Sequence, residues 1–202
     1  MLINFRTTYN QQRERGGSME ESELIARAQA GDKEAYSELI RMHQRTVEKF
    51  AFQCGVQIQD IPDVKQEVFI KLYRFLHQFQ KDRFTTWLYK IILNTARDYY
   101  RKEMKETEKE QKIQALDNQH STKSTEAKIL VFEEDRTLHE AIQQLDEKYR
   151  YPIILFYFHE LSYEQIADVL NISTSTVKVR MLRAKGQLKI LLVKDGGATN
   201  GG

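Results

Sequence analysis

The chain has 202 residues, 30% of them charged and 41% hydrophobic, with a formal net charge of +2 and one cysteine, Cys54. A single cysteine excludes an internal disulfide. With no apolar run long enough to span a bilayer and no signal-peptide pattern, the expectation is a soluble, cytosolic protein without direct membrane insertion. Only 2 Pro and 9 Gly are present, four of the Gly after Asp195, so the interior is nearly free of helix breakers and an all-α protein is predicted.

Residues 1–18 are polar, carry Arg6, Arg13 and Arg15, and end at a Gly16-Gly17 break; they read as a mobile tail. A helix is predicted over about 20–30, stopped by Gly31. Asp32 is placed to cap a second helix carrying Ala35, Leu39, Met42, Phe50 and Ala51, with Cys54 near its end as a small buried hydrophobe. Pro62 fits the first turn of a third helix. Its inward stripe is Val64, Val68, Leu72, Phe75 and Phe79. Ile70 and Tyr73 project from the opposite face beside Asp63, Gln66 and Glu67. Apolar anchors inside a polar rim suit a protein–protein contact, although scattered surface hydrophobes give the same pattern.

A fourth helix is predicted from about 85 to beyond 102. Phe84, Leu88, Ile91 and Thr95 form its core stripe, with Trp87 and Ile92 at the margins. On the far side Lys90, Asn94, Arg97 and Arg101 recur at i, i+4, i+7 and i+11, aligning three cations and an amide in a line suited to a phosphate backbone. Trp87, Tyr89 and Tyr100 put aromatic rings nearby, which is equipment for unpaired bases. The alternative is a core helix with a snorkelling basic face. Residues 103–127 turn charged and polar; the first half can extend the helix and the second reads as a flexible linker. Periodicity resumes near Ile129, Phe132, Leu138, Ile142 and Leu145, followed by the apolar segment 153–158, with Pro152 compatible with its first turn. The predicted architecture is therefore two small helical domains, 19–102 and 128–193, on a tether, with a flexible tail over 194–202.

The segment 162–189 is the most informative. Ser162 can cap a helix, with Gln165 closing a capping box. Ile166, Ala167 and Leu170 face inward, Asn171 tolerates the left-handed backbone of a tight turn, and Ile172 plugs the corner. Ser173 can cap a second helix whose Val177, Met181, Ala184 and Leu188 form one buried stripe. Roughly opposite lie Ser175, Val179 and Arg183, flanked by Thr176, Lys178 and Arg180. From Asn171 to Lys189 five residues are basic and none is acidic. This is the pattern of a helix-turn-helix whose second helix enters the DNA major groove; a solvated basic hairpin is the plainer alternative. The five histidines show no metal-ligand spacing and no phosphate-binding Gly-rich loop is present, so no cofactor, metal or catalysis is expected of this chain.

Taken in order, Asp63, Gln66, Glu67 and Phe69, then Phe84, Trp87, Leu88, Tyr89, Ile91 and Asn94, then Leu145 to Arg150, then the segment from Leu161 to Ala184 resemble an extracytoplasmic-function sigma factor of bacterial RNA polymerase. The resemblance implies that the surface of Asp63, Gln66, Glu67, Ile70, Tyr73 and Arg74 docks on core RNA polymerase. Arg83, Thr85, Thr86 and Trp87, with Lys90, Asn94, Arg97 and Arg101, would capture and hold the melted −10 element of promoter DNA. Ser173, Thr174, Ser175, Thr176, Lys178, Val179, Arg180 and Arg183 would read the −35 element as duplex. An anti-sigma factor is the further partner implied. Against the family pattern, Phe156 stands where Arg is usual and Ile92-Leu93 where Ala-Arg is common. A free-standing helix-turn-helix regulator would share the back half but leaves the basic stripe and the mixed face of the third helix unexplained.

Overall fold

A computed structural model describes residues 17–80, 83–114 and 136–197. The expectations for residues 1–16, for 115–135 with Ile129 and Phe132, and for 198–202 lie outside the described residues. Among those described, all regular structure is helical. The front half holds α1 (Gly17–Gln29), α2 (Lys33–Cys54), α3 (Ile61–Phe75) and α4 (Phe84–Gln114). The back half holds α5 (Arg136–Gln143), α6 (Glu147–Tyr157), α7 (Tyr163–Leu170) and α8 (Thr174–Gly197). Helix α4 thus runs well past Lys102, and α8 past the expected end at 193.

Local chemistry sets the boundaries. Gly31 adopts φ +93 after α1, and the Asp32 carboxylate then accepts from the Ala35 N–H to start α2. That hydrogen bond, with a second from Arg27, holds the Asp32 carboxyl below its ordinary range. Gly55 ends α2 in the left-handed region at φ +106. A side chain there would be strained by this backbone and would also press on the Tyr100 hydroxyl, 2.7 Å away. Pro62 sits in the first turn of α3 as expected.

Pro152 does not open a helix. Asp146 caps α6 six residues before it, accepting from the Lys148 N–H, and Pro152 lies inside. Its missing N–H leaves the Lys148 carbonyl without its usual partner, a tolerable loss at an exposed residue. Phe75 also departs from expectation. Helix α3 tightens at its end into a 3₁₀ turn, Leu76–Gln78, and the shorter period turns Leu76 inward while Phe75 is left 39% exposed.

The front core is built on Leu39, Val47, Phe50, Val68, Leu72, Leu88 and Ile92, all fully buried. The back core is Ile153, Ile154, Leu155, Ile166, Val177, Met181, Ala184 and Leu188. Met181 fills the seam where the α8 stripe meets its bundle. Met181→Ala is expected to lower the unfolding free energy by about 2–5 kcal/mol, seen as a fall in the urea midpoint; an unchanged midpoint would mean the stripe is not packed.

Candidate nucleic-acid interface

The helix-turn-helix forms as its sequence dictates. The Ser162 hydroxyl accepts from the Gln165 N–H while the Gln165 side chain accepts from the Ser162 N–H at 2.8 Å, a reciprocal capping box. Asn171 takes φ 53 and its N–H closes α7 onto Ala167 and Asp168 carbonyls. Ser173 accepts from the Thr176 N–H at 3.2 Å and also bonds the Ser175 and Thr176 hydroxyls at 2.8 Å. Both caps therefore fix the turn, and Val177, Met181, Ala184 and Leu188 are at most 1% exposed. The opposite side is open: Ser173, Ser175, Lys178, Val179 and Arg183 are exposed, and Thr174, Thr176 and Arg180 half-buried. The sequence reading thus placed the inward and outward sides of α8 correctly.

On α4 the stripe of Lys90, Asn94, Arg97 and Arg101 lies at the surface. Asn94 and Arg101 are exposed, and Lys90 and Arg97 are half-buried. The two half-buried cations meet acids of the back half: Lys90 Nζ lies 2.6 Å from Asp168 and Arg97 Nε 3.9 Å from Glu147. The Arg97 guanidinium also lies 5.2 Å from the Tyr151 ring centre. At the start of α4, Arg83 is exposed and Thr85 half-buried. Thr86 is 5% exposed and its hydroxyl has no partner among the described residues, so it belongs to the interior and not to a strand-holding surface.

Trp87 packs with Phe79 and Phe84 at ring-centre distances of 5.2 and 5.8 Å. Gln29 was not singled out from sequence, yet its side-chain amide donates to the Leu76 and Phe79 carbonyls at 2.9 and 2.8 Å. It ties α1 to the loop that carries Phe79. A glutamine at the last position of a helix carries no periodic signal that would have revealed this.

A third surface lies on α3. Asp63, Gln66, Glu67, Ile70, Tyr73 and Arg74 are all exposed, Ile70 at 44% and Tyr73 at 60%. Gln66, Ile70 and Tyr73 line a shallow apolar groove completed by Phe69 and by Tyr36 and Ile40 of α2. The Tyr36 hydroxyl donates to the Phe69 carbonyl at 2.5 Å, and the Tyr36 and Tyr73 rings meet edge-on at 5.1 Å. Burial raises the Tyr36 hydroxyl to about 12, so it stays a neutral donor. Tyr36 and Ile40 stand at i, i+4 beside the buried Leu39, a spacing that could have marked the groove's second wall.

Two stretches of the chain match known families. Residues 39–106 match the family described as Sigma-70 region 2, and residues 135–188 the one described as Sigma-70, region 4. The RNA polymerase sigma-H factor of Pseudomonas aeruginosa is 34% identical over 174 residues, 82% of this chain and 90% of that protein. The ECF RNA polymerase sigma-E factor of Haemophilus influenzae is 34% identical over 175 residues, 82% and 92% of the two chains. The corresponding factor of Escherichia coli strain K12 is 33% identical over 171 residues, 80% and 88%. In fold, the chain is similar to CnrH solved in complex with the cytosolic domain of CnrY, with a TM-score of 0.63 at 24% identity, covering 87% and 99% of the two chains. It is also similar to the sigma factor RpoE solved with the anti-sigma factor NepR from Bartonella quintana, with a TM-score of 0.59 at 20% identity, covering 78% and 96%.

Proposed function

The chain belongs to the extracytoplasmic-function sigma factors of bacterial RNA polymerase, and from that premise we propose that its three surfaces divide the work of starting transcription at one promoter. The exposed side of α8, from Ser173 through Arg183, reads the −35 element in the major groove. The α4 stripe and the start of that helix, Arg83, Thr85 and Trp87, hold the separated −10 strand by charge and stacking. The groove of Ile70 and Tyr73, rimmed by Asp63, Gln66, Glu67 and Arg74, docks on core polymerase. Catalysis is the polymerase's; the sigma factor is no enzyme. Tethering both DNA-reading halves to one polymerase raises each one's effective concentration at the promoter. Its place of action is the cytoplasm, at the nucleoid. An anti-sigma factor, as RpoE of Bartonella quintana binds NepR, is the natural restraint on such a chain.

The observation that carries this reading is that α8 keeps a fully buried stripe and an exposed, basic opposite side in the register a groove-inserted helix needs. The free-standing regulator loses its ground because the front half has its own family, Sigma-70 region 2. The test is transcription in vitro with purified core polymerase. Run-off product is expected only when the protein is added; duplex binding without any product sinks the proposal. Arg183→Ala is expected to weaken duplex −35 binding by roughly 5- to 150-fold, the range of one lost base contact at about 1–3 kcal/mol. Initiation from a pre-melted template lacking a −35 element should not change. Equal losses on both templates would place Arg183 outside the reading surface.

A further inference from the structure

Where the two halves meet, some polar groups are fully matched. His159, in the turn after α6, has its Nε2 2.7 Å from Gln53 Oε1 at the end of α2 and its Nδ1 2.7 Å from the Tyr89 hydroxyl on α4. A neutral ring protonated at Nε2 satisfies both, donating to Gln53 and accepting from Tyr89. Elsewhere along the same contact the pairing is incomplete. Arg97 of α4, the first turn of α6 and Arg180 of α8 border a polar cavity of about 290 Å³, which Tyr151 also lines.

The charges around this cavity do not cancel. Three cations, Arg97, Lys148 and Arg180, face two acids, Asp146 and Glu147. Asp146 is taken up by Lys148, accepting from its N–H at 2.9 Å and lying 3.3 Å from its Nζ. Glu147 comes no nearer than 3.9 Å to Arg97 Nε, too far for a hydrogen bond. Arg180 is half-buried and has no hydrogen bond or ion pair among the described residues. Two guanidinium forks therefore border one cavity without an oxygen to receive them.

Tyr151 is a second, independent sign. It is 1% exposed, and its hydroxyl is buried without a hydrogen-bond partner among the described residues. Burial pushes that hydroxyl up, so it stays protonated and able to donate. Buried polar groups are nearly always paired, so an unmatched donor on a residue lining the cavity marks a place for an acceptor. Arginine forks take phosphate oxygens two at a time. The N-terminus of α6, an 11-residue helix, adds a favourable field for an anion. The acids point to more than a bare anion, because Glu147 can accept from hydroxyl or amino groups. The volume agrees: it is close to the lower end of the range for ligand pockets, about 300–1,000 Å³.

We propose that this cavity binds a small phosphate monoester carrying hydroxyl or amino groups, such as a nucleoside monophosphate, with the phosphate held by Arg97, Arg180 and the Tyr151 hydroxyl and the polar remainder against Glu147. Such a ligand bridges α4 of the front half to α6 and α8 of the back half. It gives Arg97 and Arg180, each assigned above to a different DNA element, a shared partner in the free chain. The binding itself does not depend on how the chain holds DNA.

Isothermal titration calorimetry on the full-length chain tests this, with adenosine monophosphate as the probe and sodium chloride added to hold ionic strength constant. Saturable binding at one site is expected. Inorganic phosphate, which lacks the polar remainder, and a thymidine dinucleotide, whose phosphate is a diester like that of DNA, are each expected to bind at least about tenfold more weakly. Arg180→Gln is expected to lower affinity for adenosine monophosphate about tenfold or more, well beyond the effect of Lys189→Gln, which removes an exposed cation of α8 outside the cavity. Tyr151→Phe deletes only an unpartnered hydroxyl, so the thermal melt should hold while affinity falls by about tenfold, the loss of one hydrogen bond to a charged group. No saturable heat, or binding that survives either Arg180→Gln or Tyr151→Phe, overturns the proposal. So does an Arg180→Gln loss no larger than that of Lys189→Gln. Equal affinity for inorganic phosphate would reduce the cavity to a plain anion site, and equal affinity for the dinucleotide would make it a DNA-backbone site; either result overturns the proposed ligand class.

Discussion

Truncating Ile70 and Tyr73 together to alanine is expected to weaken assembly with core polymerase by about 30-fold or more, because central aromatic and apolar anchors contribute about 2 kcal/mol or more to such contacts. Stability should change little. Both side chains are largely exposed, and surface substitutions stay within about 0.5 kcal/mol. Phe69 and Tyr36 remain as the floor and wall of the groove, held by the hydrogen bond between the Tyr36 hydroxyl and the Phe69 carbonyl. Affinity for labelled core enzyme and a thermal melt, measured on the same preparation, check both halves of the expectation. Unaltered affinity with an intact fold would move the docking surface elsewhere.

Arg97→Ala with Arg101→Ala is expected to reduce open-complex formation and to flatten the salt dependence of single-strand binding by about 1.4 in log–log slope, at about 0.7 for each phosphate contact on a single strand. The two arginines are not equivalent. Arg101 is 76% exposed and lies 3.8 Å from Asp98 of its own helix, so its loss reports chiefly strand contact. Arg97 also meets Glu147 and Tyr151. Its loss removes a strand contact and also one tie to the back half. Each single substitution should flatten the salt slope by about 0.7. Titration from low to moderate salt separates the cases; slopes identical to the parent chain would reduce the stripe to a solvated basic face.

The elements of the fold that were legible in the sequence are those written in local chemistry. Asp32, Ser162 with Gln165, Asn171 and Ser173 each occupy the cap or turn their side chains suit, because such hydrogen bonds span only two or three residues. The α8 stripe was legible because four apolar residues repeat with the helix period. Errors arose where that period is interrupted or a second surface intervenes. The 3₁₀ turn after α3 swapped Leu76 for Phe75. Thr86 was placed at the −10 element by the resemblance alone, and its side chain is buried. The meeting of the two halves left no trace, since Gln53, Tyr89 and His159 are single residues, 36 and 70 positions apart in turn. No periodic pattern links residues that interact only once the chain has folded back on itself.

The amide of Gln29 has a consequence for where the front bundle is vulnerable. It bridges two carbonyls just beyond the end of α3, so the aromatic trio of Phe79, Phe84 and Trp87 depends for its stiffness on a helix 50 residues earlier in the sequence. A protease cut between Gln29 and α2 would leave every proposed DNA-contacting residue in place. It would nonetheless free the loop that presents them, turning a preset base-binding edge into one that must pay ordering entropy with each strand it meets.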